Sequence, residues 1–349
     1  MTTSHDFRID VTEAAGLGEP VEVALTVHLP EAAELRDRPI VCFAKPGGGY
    51  SRGYFTVDLP GPARGSQADW HADRGWVFVS VDHLGVGDST VIADPERLDY
   101  TTVAAGNQAA EQEVLDRLAQ GTLVDGFPPV MDALRLGIGQ SMGGCMTVIQ
   151  QGRYHCYDGI GVLGYSAVHT SVQLGVGQRM PGAWVPRDVR ASSGIAVMPP
   201  MGADLAAVFA QASAEGAPPL MGWGFHYDDV DSEIVRADLG EFPTREGNVP
   251  PWGSATLPQS VASWCMAPGA IAPEAAAVAA PVLVAMGERD VIADPRGELR
   301  AYQSASSVDF YVCPRMGHMH NFAGTRELFW RRIATWSAWV QEFKSATSD

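Results

Sequence analysis

The stretch Leu134-Arg135-Leu136-Gly137-Ile138-Gly139-Gln140-Ser141-Met142-Gly143-Gly144, continued by Cys145 to Gln151, reads as a strand, a sharp turn and a helix in immediate succession. The apolar run that ends at Gly139 is short enough for a buried strand, and Met142 to Gln151 is long enough for a helix. Between them stands G-x-S-x-G, a pattern in which a tight strand-to-helix turn exposes a serine hydroxyl. Alone the pattern is weak in a chain with 38 glycines; its place between strand and helix gives it weight. A helix starting at Met142 also points its first unbonded N–H groups at the serine, where a negative charge could develop.

Working outward, short apolar runs alternate with longer amphipathic stretches, which predicts repeated β-then-α units and an α/β fold built on a mostly parallel sheet. The predicted strands are residues 7–11, 21–29, 40–44, 77–81, 134–139, 159–164, 282–286 and 309–313, eight in all. The predicted helices include 101–118, 142–151 and 325–343. Between the sixth and seventh strands, residues 168–273 change character: they are rich in Met, Trp, Pro and Gly, and pieces such as Val249-Pro250-Pro251-Trp252 punctuate secondary structure rather than continue it. Helices joined by irregular loops are expected there.

Four further stretches follow the ends of predicted strands: Lys45-Pro46-Gly47-Gly48-Gly49-Tyr50, Asp82-His83-Leu84-Gly85-Val86-Gly87-Asp88-Ser89, Val282 to Met286 with Gly287-Glu288-Arg289-Asp290, and Cys313-Pro314-Arg315-Met316-Gly317-His318-Met319-His320. With the serine turn, their order and spacing resemble the α/β-hydrolase family. The resemblance covers roughly 7–167 and 280–343. It implies an eight-stranded, mostly parallel sheet with helices on both faces, a core made of 1–167 and 274–349, and a cap, 168–273, inserted between strands 6 and 7.

The same resemblance implies a Ser141 nucleophile, an Asp290 acid and a His318 base, in the chain order Ser, acid, His. Glu288 is the reserve acid, with a surface position beside Arg289 as its plainer reading. His320 stays open as the alternative base and is otherwise left as a pocket residue or one that supports the catalytic groups from behind; Tyr50 and Trp223 are the other pocket candidates. The oxyanion donors would be the Met142 N–H and those of Gly48 or Gly49, with Lys45 or Pro46 standing where many family members carry histidine. The Asp82 to Ser89 loop is structural in the family, so His83 is not expected to be catalytic. His318-x-His320 lacks further ligands at metal-binding spacing, so neither a metal nor a cofactor is expected.

A cap in this position would lie over the carboxyl ends of the strands, where ligands bind in such sheets. Trp184, Met198, Met201, Met221, Trp223, Phe225, Trp252, Trp264 and Met266 are then candidates for an apolar wall. His226 to Asp231 matches no calcium loop and reads as solvated, and Asp238 and Glu241 would disfavour anionic substrates at an entrance.

The expected activity is hydrolysis of a neutral, largely apolar carboxylic ester or lactone through an acyl-serine. Ser141-Met142-Gly143-Gly144 also resembles the serine turn of homoserine O-acetyltransferases, so acyl transfer is the nearest alternative. A non-catalytic small-molecule receptor is a third. Serine rather than aspartate in the turn disfavours haloalkane dehalogenase and epoxide hydrolase chemistry.

Composition agrees with an enzyme acting on small molecules. The chain has 349 residues, 46% hydrophobic and 19% charged, with a formal net charge of −17 and two lysines, Lys45 and Lys344. That sign repels nucleic acid and anionic membranes. Residues 1–11 carry no apolar run, so neither a secretory signal nor a membrane partner is expected and the location is expected to be cytoplasmic. Cys42, Cys145, Cys156, Cys265 and Cys313 are scattered and odd in number, which suits reduced core thiols. Whether two copies pair as a homodimer is left open.

Overall fold

Strands that are apolar on both faces need cover on both, and this requirement sets the layers of the molecule. The computed structural model describes residues 2–36, 38–180, 217–245 and 247–347. Eight strands form one sheet: β1 (Thr3–Asp10), β2 (Glu22–Leu29), β3 (Ile40–Lys45), β4 (Trp76–Val81), β5 (Leu134–Gln140), β6 (Gly159–Leu163), β9 (Val282–Gly287) and β10 (Val308–Cys313). Their spatial order is β1-β2-β4-β3-β5-β6-β9-β10. β1 runs antiparallel to β2 and β2 antiparallel to β4, and all later neighbours are parallel. A small antiparallel pair, β7 (Gln173–Gly175) and β8 (Gln178–Arg179), lies outside this sheet.

Alternation along each strand sends neighbouring residues to opposite layers. Val41 and Phe43 of β3 join one core with Val103, Val114 and Leu118 of helix α4 (Tyr100–Gln120) and Met146 and Ile149 of helix α5 (Met142–Tyr154). Ile40, Cys42 and Ala44 join the other, which the C-terminal helix Arg326–Thr347 closes with Phe329, Ile333, Trp336 and Val340, spaced to form one helical face. Helix α4 begins where the Asp99 carboxylate accepts from the Thr101 and Thr102 N–H groups, at 2.8 and 2.9 Å, and ends at Gly121 in the left-handed region, a start and stop encoded locally.

Two lines of the core bear on the site. Lys45, the last residue of β3, is wholly buried; its Nζ pairs with Glu111 of α4 at 2.7 Å and donates to the Tyr157 hydroxyl at 2.7 Å, and Tyr157 donates in turn to Glu111. Cys42, Cys145, Cys265 and Cys313 are buried, Cys156 is half-buried, and all five are free thiols. Among the described residues no helix is long and apolar enough to cross a membrane.

The described part of the 168–273 stretch holds short helices joined by irregular loops: Gly222–Phe225, Ser232–Leu239 and Gln259–Met266, with Ala272–Ala277 following. Trp264, one of the candidates for the apolar wall, packs on Tyr100 with ring centroids 4.4 Å apart, because its helix lies against α4 and α5 on the flank of the core. Trp184, Met198 and Met201 lie outside the described residues.

Candidate active site

The parallel strands deliver four loops to one end of the sheet. β5 turns into α5 at Ser141, which has φ 53° and ψ −119°, a left-handed strain rare for a residue with a side chain. Its N–H donates to the Leu163 carbonyl at the end of β6, at 2.8 Å, and its carbonyl accepts from the Cys145 N–H. The two glycines of the motif are steric necessities. A Cβ on Gly139 would sit 2.1 Å from the Gly143 carbonyl oxygen, and one on Gly143 2.0 Å from that of Lys45.

The loop after β9 supplies Asp290, 1% exposed. Its Oδ1 accepts from the Val291 N–H at 2.7 Å and faces His318 Nδ1 at 2.6 Å. Its Oδ2 accepts from the Gly287 N–H at 2.7 Å and faces His320 Nε2 at 2.8 Å. Burial by itself would raise this carboxyl; the facing His318 charge and the hydrogen bonds from both rings outweigh it and hold the group well below the usual carboxylate range. Glu288, the reserve acid, is exposed and accepts from the Arg315 N–H at 2.9 Å, away from these rings.

His318 follows β10. Its backbone N–H donates to the Gly224 carbonyl at 2.9 Å and the Met319 N–H to that of Phe225 at 2.8 Å, while the Phe225 ring packs on the imidazole at 4.8 Å. With Nδ1 committed to Asp290, Nε2 turns toward the serine turn, where it lies 3.3 Å from Gln140 Nε2; that amide also donates to the His318 carbonyl at 3.0 Å. Gln140 was not singled out in the sequence, although its place directly before the serine, at the tip of β5, was the available signal.

The loop after β3 comes within contact of both. Gly47 lies against the side chains of Gln140 and Ser141; Gly48 faces Met142 Cβ and Leu257. Gly49 turns away at φ 81°, packed on Phe242 and Pro243, and its carbonyl accepts from the Ser254 N–H at 3.0 Å and from Arg245 Nη1. Gly47 and Gly48 therefore lie beside the head of α5, and Gly49 does not. His83 lies under this loop, fully buried between the Pro46 carbonyl at 3.2 Å and Asn107 at 3.0 Å, and burial pushes it down to about 4, so it stands neutral. Asp82 anchors its own turn by accepting from the Arg52 and Asp88 N–H groups, at 2.6 and 3.0 Å.

The same fold recurs in solved structures. An esterase from Thermogutta terrifontis superposes with a TM-score of 0.59 at 16% identity, over 96% of this chain and 99% of that one. A proline iminopeptidase from Mycobacterium smegmatis gives 0.58 at 15%, over 96% and 98%. An enol-lactonase from Burkholderia xenovorans gives 0.51 at 16%, over 93% and 97%. This is the α/β-hydrolase fold. No protein-family model matches the sequence, and no curated protein matches it.

Around the α/β-hydrolase core, three readings of the sequence change. Tyr50, expected in a substrate pocket, is 1% exposed, and its hydroxyl donates to Asp238 Oδ2 at 2.8 Å. Asp238, expected at an entrance, is 0% exposed: it also meets His226 Nε2 at 2.9 Å, Trp252 Nε1 at 2.8 Å and the Arg245 guanidinium at 3.6 Å. His226, read as part of a solvated loop, is thus buried, at 3% exposure. The reason is the same in each case: Asp238 collects donors from three separate segments, and their convergence hides it from water.

His320 faces Asp290 and packs on Phe329 at 4.4 Å. Trp223 sits beside Arg289, whose guanidinium lies 4.4 Å from its ring and 4.3 Å from that of Tyr227, in a cavity of about 480 Å³ that also includes Leu174, Pro218 and Pro219. Asp290, His318 and His320 place three metal-ligand atoms within 4.8 Å of one another, a grouping the sequence spacing did not suggest. Each ring turns a nitrogen onto the carboxylate at hydrogen-bond distance, so a cation there would have to displace both bonds.

Proposed function

We propose that the chain is a serine hydrolase that cleaves a neutral, largely apolar carboxylic ester or lactone. The reading is carried by the Asp290–His318 pair, 2.6 Å apart, in contact with Gln140, the residue directly before a serine held at φ 53° at the head of a helix. His318 Nε2 takes the proton of Ser141 as Oγ attacks the carbonyl carbon, and Asp290 fixes the imidazole tautomer and balances the imidazolium. The oxyanion meets the N–H groups of Met142 and Gly48, with the helix dipole behind them. His318 then protonates the departing alcohol. Water, activated by the same ring, releases the acid; from a lactone, alcohol and acid leave as one molecule.

Phe225, Phe242, Leu257 and Met142, which pack on the base and the glycine loop, favour an apolar substrate. Residues 168–273, which include Phe225 and Phe242, are proposed as the cap. The small-molecule substrate needs no cofactor or metal for this chemistry, and the acidic charge makes nucleic acid and anionic membranes poor partners.

The test is hydrolysis of short and long neutral esters and lactones by wild type and Ser141→Ala, with fluorophosphonate labelling alongside. Turnover and labelling that both vanish in Ser141→Ala are the expected result. Labelling without hydrolysis, relieved by an added alcohol or amine, would replace the proposal with acyl transfer. An unlabelled serine in a protein whose melting temperature rises with ligand would replace it with a receptor.

A further inference from the structure

The carboxylate of Asp290 serves two imidazoles, and only one of them faces the serine turn. His320 presents Nε2 to Oδ2 at 2.8 Å, while its Nδ1 is buried and has no hydrogen-bond partner. An N–H must stand on Nε2 for that contact to be a hydrogen bond, which leaves Nδ1 as a bare lone pair. A second proton on Nδ1 would point at no acceptor in a ring wall formed by Phe329 and the Gly164 backbone. His320 is therefore a neutral, permanent donor.

We propose that His320 is a positioning residue for the triad: by donating to Asp290 Oδ2 it fixes the carboxylate plane for His318 and limits how strongly that carboxylate holds a proton on the His318 ring. A carboxylate oxygen pair offers about four acceptor sites. Here two backbone N–H groups and two imidazoles fill them. Each donor draws charge from the carboxylate, so removing one leaves more for the imidazolium formed when Ser141 is deprotonated. Protonation of His318 in the resting enzyme would abolish its function as a base.

Among the described residues the other charged or titratable groups near this pair make no hydrogen bond to the Asp290 carboxylate, although the Arg179 charge acts on it. Arg179 donates to the Asp290 main-chain carbonyl at 3.4 Å; Arg289 pairs with Asp228; His226 faces Asp238; the Tyr54 hydroxyl accepts from the Asn321 N–H. His320 is thus the titratable side chain whose removal changes the donor set of Asp290 without touching Ser141 or His318.

This inference rests on the hydrolase reading but can be tested without turnover. The His318 Nδ1–H proton is followed by downfield proton NMR against pH in wild type, His320→Phe, His320→Asn and His320→Gln, with thermal melts to establish folding. In parallel, the acid limb of kcat/KM is recorded on an ester that wild type hydrolyses. In His320→Phe, which keeps the packing and loses the donor, both midpoints should move up by about one pH unit, the size expected for one lost hydrogen bond to a charged group. In that variant kcat should fall about tenfold, with KM nearly unchanged. His320→Gln, which can return an N–H to Oδ2, should lie near wild type. His320→Asn, too short to reach, should follow His320→Phe and takes its place if the phenylalanine variant does not fold.

Midpoints that stay put or move down in the donorless variants would overturn the proposal, as would a His320→Gln variant as shifted as His320→Phe. A chain that hydrolyses nothing would end the hydrolase reading, and the NMR comparison would still decide the role of His320.

Discussion

Among the described residues two buried aspartates each hold a histidine at short range, and the proposed mechanism uses only one of the pairs. Asp290 meets His318 at 2.6 Å and Asp238 meets His226 at 2.9 Å. Each carboxylate is hidden from water, and each has several donors. The difference lies in the second half of each ring and in the partners of each acid. His318 gives Nδ1 to its aspartate and turns Nε2 to the serine turn; His226 gives Nε2 to its aspartate, and its Nδ1 is buried without a partner.

Asp290 is surrounded by backbone N–H groups and imidazoles, and the second nitrogen of His318 meets the Gln140 side-chain amide at 3.3 Å, at the serine turn. Asp238 is surrounded by Tyr50, Trp252 and the permanent charge of Arg245, which tie the residues around 225–254 to the glycine loop. An Asp–His pair is therefore no signature of catalysis in itself; what the second ring nitrogen faces, the serine turn for His318 and a closed interior for His226, tells the two apart.

The comparison breaks most visibly with Asp290→Asn. If the first pair works as proposed, ester turnover should fall by about 10³–10⁴-fold while the fold persists, because the amide favours the wrong tautomer of His318; steady-state kinetics beside a thermal melt read both. Asp238→Asn should do the reverse. It leaves Arg245 buried without its counter-charge, so urea unfolding should show a loss of about 3–5 kcal/mol, while the folded fraction keeps turnover within about tenfold of wild type. An Asp238→Asn protein of full stability and no activity would move the second pair into the chemistry.

The smallest effect sharpens the comparison from outside, with a histidine that has no aspartate. His71 lies among Trp70, Trp76 and Phe78, gives Nδ1 to the Gln67 carbonyl at 2.8 Å and has no partner at Nε2. Burial pushes it down to about 3. Below about pH 6.5 the unfolded chain takes up a proton at this position that the folded chain refuses until about pH 3, so stability falls as pH falls through that window. The slope attributable to one such group is about 1.4 kcal/mol per pH unit at most. His71→Phe should flatten the loss of urea stability between pH 6 and 4 by about that much; an unchanged slope would locate the acid lability elsewhere.

The sheet was legible because its strands are buried on both faces, so that stretches such as 40–44 and 282–286 appear in the sequence as unbroken apolar runs. That Ser141, Asp290 and His318 come to the same end of the sheet was legible for another reason: the resemblance places each just beyond a strand end, and parallel strands bring their ends together. Asp238 carried no such mark. Its partners stand 188, 14, 12 and 7 residues away, and the sequence around it, Arg236-Ala237-Asp238, looks like any solvated helix end.

His320 was placed in a pocket because its neighbour His318 had already filled the role of base. Nothing local says that one carboxylate can serve two rings. Gln140 was passed over because the serine motif leaves its second position unspecified.

The buried Lys45 has a practical consequence. The chain has two lysines, and the ammonium of Lys45 is enclosed with Glu111 and Tyr157. Reagents that seek side-chain amines are thus left with Lys344, 36% exposed and paired with Asp158, near the end of the C-terminal helix beside Arg38. Arg38 and Asp158 precede β3 and β6, at the end of the sheet opposite Ser141. Attachment through the Lys344 side chain would hold the protein by its back, with the serine turned outward.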